Sequence, residues 1–301
     1  MRTTRAIETR FASVRYHSGA FYAVQSQRVT VLDLNLETID ELPLPGGDAR
    51  DIIFFDDRTA IVTLGAGPTL ARIDLVTRTI VGIDLTPYGA AVSTSTLAQC
   101  GSRVFVQLQA PGIAVVDVTP IGARLVDGDP QATGLSPIPL ASRSLLLMQA
   151  DCSAGRLYVA EPVPLTDGGG QYEQIDLTTL APSTLSLASG LGEVGGFHVV
   201  APDEGWFILH TELGPSPSSH LQHITPTSQG SVWDTFAPVQ IDHLAVDTPT
   251  GQLFFPDGCT DNCQPGHSTG VQVFDVASGA QVSTGGAIAV GFPPADVVVA
   301  R

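Results

Sequence analysis

The chain of 301 residues contains no lysine; all fourteen of its basic residues are arginine. Thirty acidic residues outweigh them and set the net charge at −16. Binding to phosphate groups needs a clustered basic surface, so this balance excludes nucleic acid and an anionic membrane as partners. It also favours a soluble chain that resists self-association, and the expected state is a monomer. Charge of either sign is sparse, 15% of residues against a typical ~25%. No apolar run reaches the roughly eighteen residues that a membrane-crossing helix requires. Met1-Arg2-Thr3-Thr4-Arg5 is not followed by an apolar stretch, so the sequence shows no secretion leader. The expectation is either an exported protein whose leader lies outside this sequence, or a cytoplasmic one. Helical periodicity with capping signals is missing throughout, and the chain reads as all-β. Familiar catalytic signatures are missing as well: there is no HExxH and no phosphate-binding loop. Gly190-Leu191-Gly192-Glu193-Val194-Gly195 fits a dinucleotide pattern in letters only, because a β-like run follows where a helix is needed.

What the chain does have is a repeat. Val31-Leu32-Asp33, Arg72-Ile73-Asp74, Val115-Val116-Asp117, Gln174-Ile175-Asp176 and Val273-Phe274-Asp275 are five copies of a short β run closed by Asp, and His223-Ile224-Thr225 is a sixth with Thr in the closing place. The spacings between closing residues are 41, 43, 59, 49 and 50. A propeller blade of four strands occupies ~40–45 residues, longer than most solenoid repeats. The second copy shows its four strands most plainly, as Ile52–Phe55, Ala60–Thr63, Leu70–Ile73 and Thr79–Ile83, rich in β-branched residues and bounded by Gly, Pro, Asp and Thr. The closing Asp is expected to accept backbone N–H bonds from the turn into the fourth strand, a structural task that Thr225 performs more weakly.

An apolar strand ending in Asp before a short turn resembles the YVTN and NHL-like families of bacterial β-propellers over most of the chain. That resemblance implies a single propeller domain over 1–301 and leaves its activity open. Six blades are expected, with the terminal segments closing the ring and Val297-Val298-Val299 filling the innermost strand of the first blade. Seven blades are the alternative.

Two departures from the repeat are candidate functional features. The connection between the second and third strands is short in the second copy but extends over Glu161–Gln171, Thr211–His220 and Pro256–Gly270 in the last three. Long loops on a rigid scaffold are where binding residues tend to sit. In addition, Asp51, His198, His243 and Asp296 each stand just ahead of an inner-strand run. If they share one register they line the mouth of the propeller tunnel. Two imidazoles and two carboxylates suit one divalent metal (Zn, Mn, Fe or Ca), or a His general base oriented by a carboxylate. The structural alternative is an ordinary wet, polar tunnel lining. His210 closes a second strand on the same side, and His220 and His267 lie in long loops; all three are further ligand-binding candidates.

The four cysteines lean toward export. Cys100 and Cys152 fall at matching points of successive repeats, and Cys259 and Cys263 share a polar loop. Both pairs are disulfide candidates, with zinc held by Cys259, Cys263 and His267 as the alternative for the second. The preferred function is an exported propeller binding a small molecule or protein on its loop face. The alternative is a metal- or His-dependent lactonase or lyase with His198 and His243 as ligands or base.

Overall fold

The structure is a computed structural model. It describes residues 13–89, 93–108, 112–119, 122–140, 147–161, 171–185, 193–210, 219–235, 243–258, 269–282, 287–290 and 297–299. Within them the chain forms six antiparallel sheets in sequence order. The first contains β1 (Val14–His17), β2 (Ala20–Gln25), β3 (Arg28–Leu32) and β4 (Thr38–Pro43). The second contains β5 (Ala49–Phe54), β6 (Thr59–Leu64), β7 (Thr69–Asp74) and β8 (Ile80–Asp84), and the third β9 (Thr94–Cys100), β10 (Arg103–Leu108), β11 (Ile113–Thr119) and β12 (Gly122–Val126). The fourth contains β13 (Leu147–Asp151), β14 (Arg156–Glu161), β15 (Gln171–Asp176) and β16 (Pro182–Thr184), and the fifth β17 (Glu193–Ala201), β18 (Glu204–His210), β19 (Ser219–Thr225) and β20 (Ser228–Thr235). The sixth has three strands, β21 (Ala245–Asp247), β22 (Gln252–Asp257) and β23 (Gly270–Asp275). Where a fourth strand would pair, the described residues make single bridges, Phe274 with Gln281 and Val271 with Ile288. No helix among the described residues is long and apolar enough to cross a membrane.

The strands differ along each sheet for a compositional reason. The second strands, such as Thr-Ala-Ile-Val-Thr-Leu in β6 and Arg-Val-Phe-Val-Gln-Leu in β10, are apolar on both faces and buried for most of their length. A strand covered on both sides needs that near-continuous apolar run. The outermost strands β4, β8 and β12 mix polar residues with exposed Ile39 and Val81, as suits an edge.

The chain divides into two compact units, one built on Met1–Val159 and Glu173–Ser183, the other on Ala160–Tyr172 and Thr184–Val299. In the first, neighbouring sheets bury apolar residues between them in chain order. Val24, Ala49, Ile52 and Val62 meet between sheets one and two, and Ile61, Leu97, Val104 and Val106 between two and three. Ala98, Phe105, Leu157 and Ile175 meet between sheets three and four. In the second unit Trp206, Ile208, Leu253, Phe255 and Phe274 join sheets five and six.

The closing Asp residues cap the turns that follow them. Asp33 accepts from the Asn35 and Glu37 N–H groups, Asp74 from those of Val76 and Thr77, and Asp176 from those of Thr178 and Thr179. Asp275 takes the Ser278 N–H, and Thr225 does the same for Ser228 through its hydroxyl. Asp117 is the exception. β11 runs on to Thr119, so Asp117 lies inside the ladder opposite Arg124 and pairs with Arg103 at 3.2 Å.

Two expectations about the chain ends and blade number are settled by topology. The innermost place of the first sheet is held by β1, not by Val297-Val298-Val299, which form no strand. The seven-blade alternative has no counterpart, because the described strands make up six sheets.

Candidate functional site

Asp51 is the most heavily engaged of the four residues placed at the inner-strand starts. It lies within β5, at a β-bulge between the Ala49–Leu64 and Ile52–Val62 pairs. The residue is only 3% exposed. Its Oδ1 accepts from the Ser13 hydroxyl at 3.0 Å, the Arg15 guanidinium at 3.1 Å and the Ile52 N–H at 2.9 Å. Its Oδ2 accepts from Arg15 at 3.2 Å and from the Leu97 N–H at 2.9 Å. The Asp51 N–H is itself bonded to the Thr63 hydroxyl at 2.9 Å. Arg15 belongs to the first sheet, with Ser13 just ahead of it, and Leu97 to the third. One carboxylate therefore ties three successive sheets together, and its lone pairs are taken by protein donors.

His198 stands in β17 opposite Trp206, the third residue of β18. Ile52, next to Asp51, stands opposite Val62, the fourth residue of β6, so Asp51 lies further from its hairpin than His198 does from its own. The expectation that both occupy one register is thus corrected. β17 carries two bulges, at Val194/Gly196 and Val199/Ala201, and the second, between His198 and its hairpin, shifts the ladder in a way that spacing from the apolar run does not reveal. His243 is exposed and precedes β21 without belonging to it. His210, at the end of β18, is buried and its Nδ1 meets the Ser219 hydroxyl at 3.0 Å. His220 lies in β19, and not in a loop, paired across the ladders with Leu209 and Asp234. Asp296, His267, Cys259 and Cys263 lie outside the described residues. Asp51 belongs to the first unit, and His198, His210, His220 and His243 to the second. Among the described residues no group of three or more His, Cys, Asp or Glu is gathered so as to hold a metal ion.

Cys100, at the end of β9, is bonded to Cys152, just past β13, with their Cα atoms 5.4 Å apart. The bond staples the hairpin ends of the third and fourth sheets.

Sequence reasoning passed over several engaged groups. Asp257 ends β22 fully buried, and accepts from the Trp233 indole at 3.0 Å and the Gln272 amide at 3.3 Å. Tyr172 is buried against the edge of Phe207, and burial pushes its phenol well above its ordinary range. A third set, Glu204, Trp206 and His223, lies beside the place where other repeats carry an Arg–Asp pair, with His223 two residues ahead of the closing Thr225. Arg58, Arg103 and Arg156, at or next to the start of the second strand, bind Asp74, Asp117 and Asp176. That recurring Arg is a signal the sequence carries and that the Asp repeat overshadows.

No family model matches the chain, and no curated protein matches it. Solved structures do. The Swd1 β-propeller domain of Myceliophteria thermophila aligns over 93% of this chain and 87% of its own, with a TM-score of 0.55 and 12% identity. A chain of the mitotic checkpoint complex aligns over 96% and 83%, with a TM-score of 0.63 and 11% identity. A chain from Bacteroides uniformis, assigned only provisionally as a 6-phosphogluconolactonase, aligns over 94% and 86%, with a TM-score of 0.61 and 12% identity. The chain has the β-propeller fold. Its six sheets are the blades, and identities this low carry the fold and nothing of the activity.

Proposed function

We propose that this β-propeller is a binding protein whose contact surface is carried by the connections between the second and third strands of its last three blades. The observation that carries this reading is a difference in those connections. They are short in blades one to three, from Gln25 to Arg28, Leu64 to Thr69 and Leu108 to Ile113. In blades four to six they span residues 162–170, 211–218 and 258–269. Variable loops on a regular scaffold are the usual place for recognition. The engagement of Asp51 supports the same reading, since its carboxylate serves the scaffold. The Cys100–Cys152 disulfide supports export to an oxidising compartment.

The test replaces each long connection, singly and together, with the Gly65–Pro68 turn of the second blade, and compares crosslinked partners and ligands of the full and shortened chains. A specific partner lost with the loops, while the thermal melt is unchanged, is the expected result. An unchanged set of bound species overturns it. So does lactone hydrolysis or β-elimination by the purified chain that disappears in His198→Ala/His243→Ala, with or without bound divalent metal. That outcome would establish the enzyme reading instead.

A further inference from the structure

The charges of this chain are unevenly laid out. Between Arg156 and Arg301 there is no Arg or Lys, yet that stretch holds half of the thirty acidic residues and six of the seven histidines. Every side-chain cation available there is therefore an imidazole, the one side chain whose ordinary titration falls between pH 5 and 8. In the first three Arg–Asp clasps the cation is permanent. The fifth blade has to build its clasp from something else.

It does so with an acid in the place of the Arg and an imidazole two residues ahead of the closing Thr225. Glu204 takes the place at the start of β18 that Arg103 and Arg156 take in β10 and β14. Its Oε1 meets His223 Nε2 at 3.1 Å, across the β18–β19 ladder. His223 is 8% exposed and lies flat on Trp206, with ring centroids 4.3 Å apart and planes 10° from parallel. The indole N–H of Trp206 reaches the Val276 carbonyl of the sixth blade at 3.1 Å. Gly279, in the same turn, approaches His223 so closely that a Cβ there would stand 3.0 Å from Nδ1. His223 is thus enclosed by its own blade on one side and the next blade's turn on the other.

We propose that Glu204, His223 and Trp206 form a pH-responsive clasp joining the fifth and sixth blades, a titratable substitute for the Arg–Asp clasps of the earlier blades. With His223 neutral the contact is an ordinary hydrogen bond and a stack. With it protonated the hydrogen bond becomes charge-assisted and the stack a cation–π contact, each stronger than its neutral form. One other titratable ring stands close: β17 places His198 opposite Trp206, on the far side from His223. Among the described residues, β18 presents Glu204, β20 presents Gly230 opposite His223, and β19 itself carries Leu221 and Thr225 on either side. The turn after β23 brings Asp275, whose carboxylate is held by the Ser278 N–H and hydroxyl.

A double-mutant cycle on the full chain tests the proposal, using Glu204→Gln, His223→Gln and the pair, unfolded by urea at pH 5.5 and pH 7.5. The expected coupling in the unfolding equilibrium constant is about fivefold to tenfold at pH 5.5 and about twofold or less at pH 7.5. Equal coupling at the two pH values overturns it. If a variant does not fold, the wild-type chain still decides. It has two tryptophans, and therefore two indole N–H resonances. Trp206 should shift with pH between 5 and 8, and equally so in His198→Gln, which removes the other imidazole beside it, with Trp233, bonded to Asp257, as the fixed reference. Indole signals that are both flat, or that move equally, overturn the clasp.

Discussion

Replacing Asp51 should be among the most destabilising single changes available in the first unit. In Asp51→Ala the N–H groups of Ile52 and Leu97 lose their acceptor at a buried position, at about 1–3 kcal/mol each. The Ser13 hydroxyl and the Arg15 guanidinium also lose their partner, but the Arg15 side chain is 49% exposed and regains water. Taken together the cost is about 3–5 kcal/mol, a large part of the ~5–15 kcal/mol by which domains are stable. Asp51→Asn keeps one acceptor oxygen and turns an NH2 toward the remaining donors, so it should cost about as much as losing one backbone partner, ~1–3 kcal/mol. Arg15→Ala should cost about 1 kcal/mol or less, because the exposed half of that pair is screened. Urea unfolding followed by circular dichroism gives the three values, with any resolved transition of the first unit as the one to shift. A cost below about 1 kcal/mol for Asp51→Ala, or a larger cost for Arg15→Ala, would refute the bracing role.

Two further outcomes follow from the turns. The Thr77 N–H and Arg58 hold the Asp74 carboxyl at a pKa of about 2, and the Thr179 N–H and Arg156 do the same for Asp176. Both are depressed from 3.8, so their stabilising effect is complete above pH ~4 and is lost as pH falls through about 2. Carboxyl carbon shifts should show both still ionised at pH 3, and midpoints near 4 would contradict the caps. Gly270 has φ +156°, and a Cβ there would stand 2.5 Å from the Ile288 carbonyl oxygen. Gly270→Ala should therefore destabilise by about 1–3 kcal/mol, whereas Gly230→Ala, which meets nothing within 4 Å, should stay within about 0.5 kcal/mol. Equal effects in a thermal melt would show that the close approach carries no strain.

The strands and turns of this chain were legible because they are local. A β-branched run closed by Asp or Thr encodes a strand and its cap within eight residues, and Thr225 could be recognised as the sixth copy for that reason. Asp117 broke the pattern only because β11 continues two residues further. The candidate site was less legible because it depends on register and on distant partners. The bulge at Val199/Ala201, between His198 and its hairpin, moves His198 off the ladder position that counting from Val199 implies. Asp51 looked like a ligand because Ser13, Arg15 and Leu97 are 36 to 46 residues away from it in sequence. Nothing in the local pattern around Asp51 announces three donors arriving from two other sheets. The innermost strand of the first sheet posed a similar difficulty: two apolar segments at opposite ends of the chain competed for one slot, and only pairing decided between them.

The joints between blades repeat one chemical idea. Arg103 of the third blade donates to the Leu177 carbonyl, which directly follows Asp176 of the fourth. Trp206 of the fifth donates to the Val276 carbonyl, which directly follows Asp275 of the sixth. The third and fifth blades thus carry a plug near the start of the second strand, and the fourth and sixth a socket just past the closing Asp of the third. The plug differs, guanidinium in one joint and indole in the other, while the socket is a backbone carbonyl in both. A side chain can therefore change at such a joint without removing its acceptor, because every residue type supplies a carbonyl.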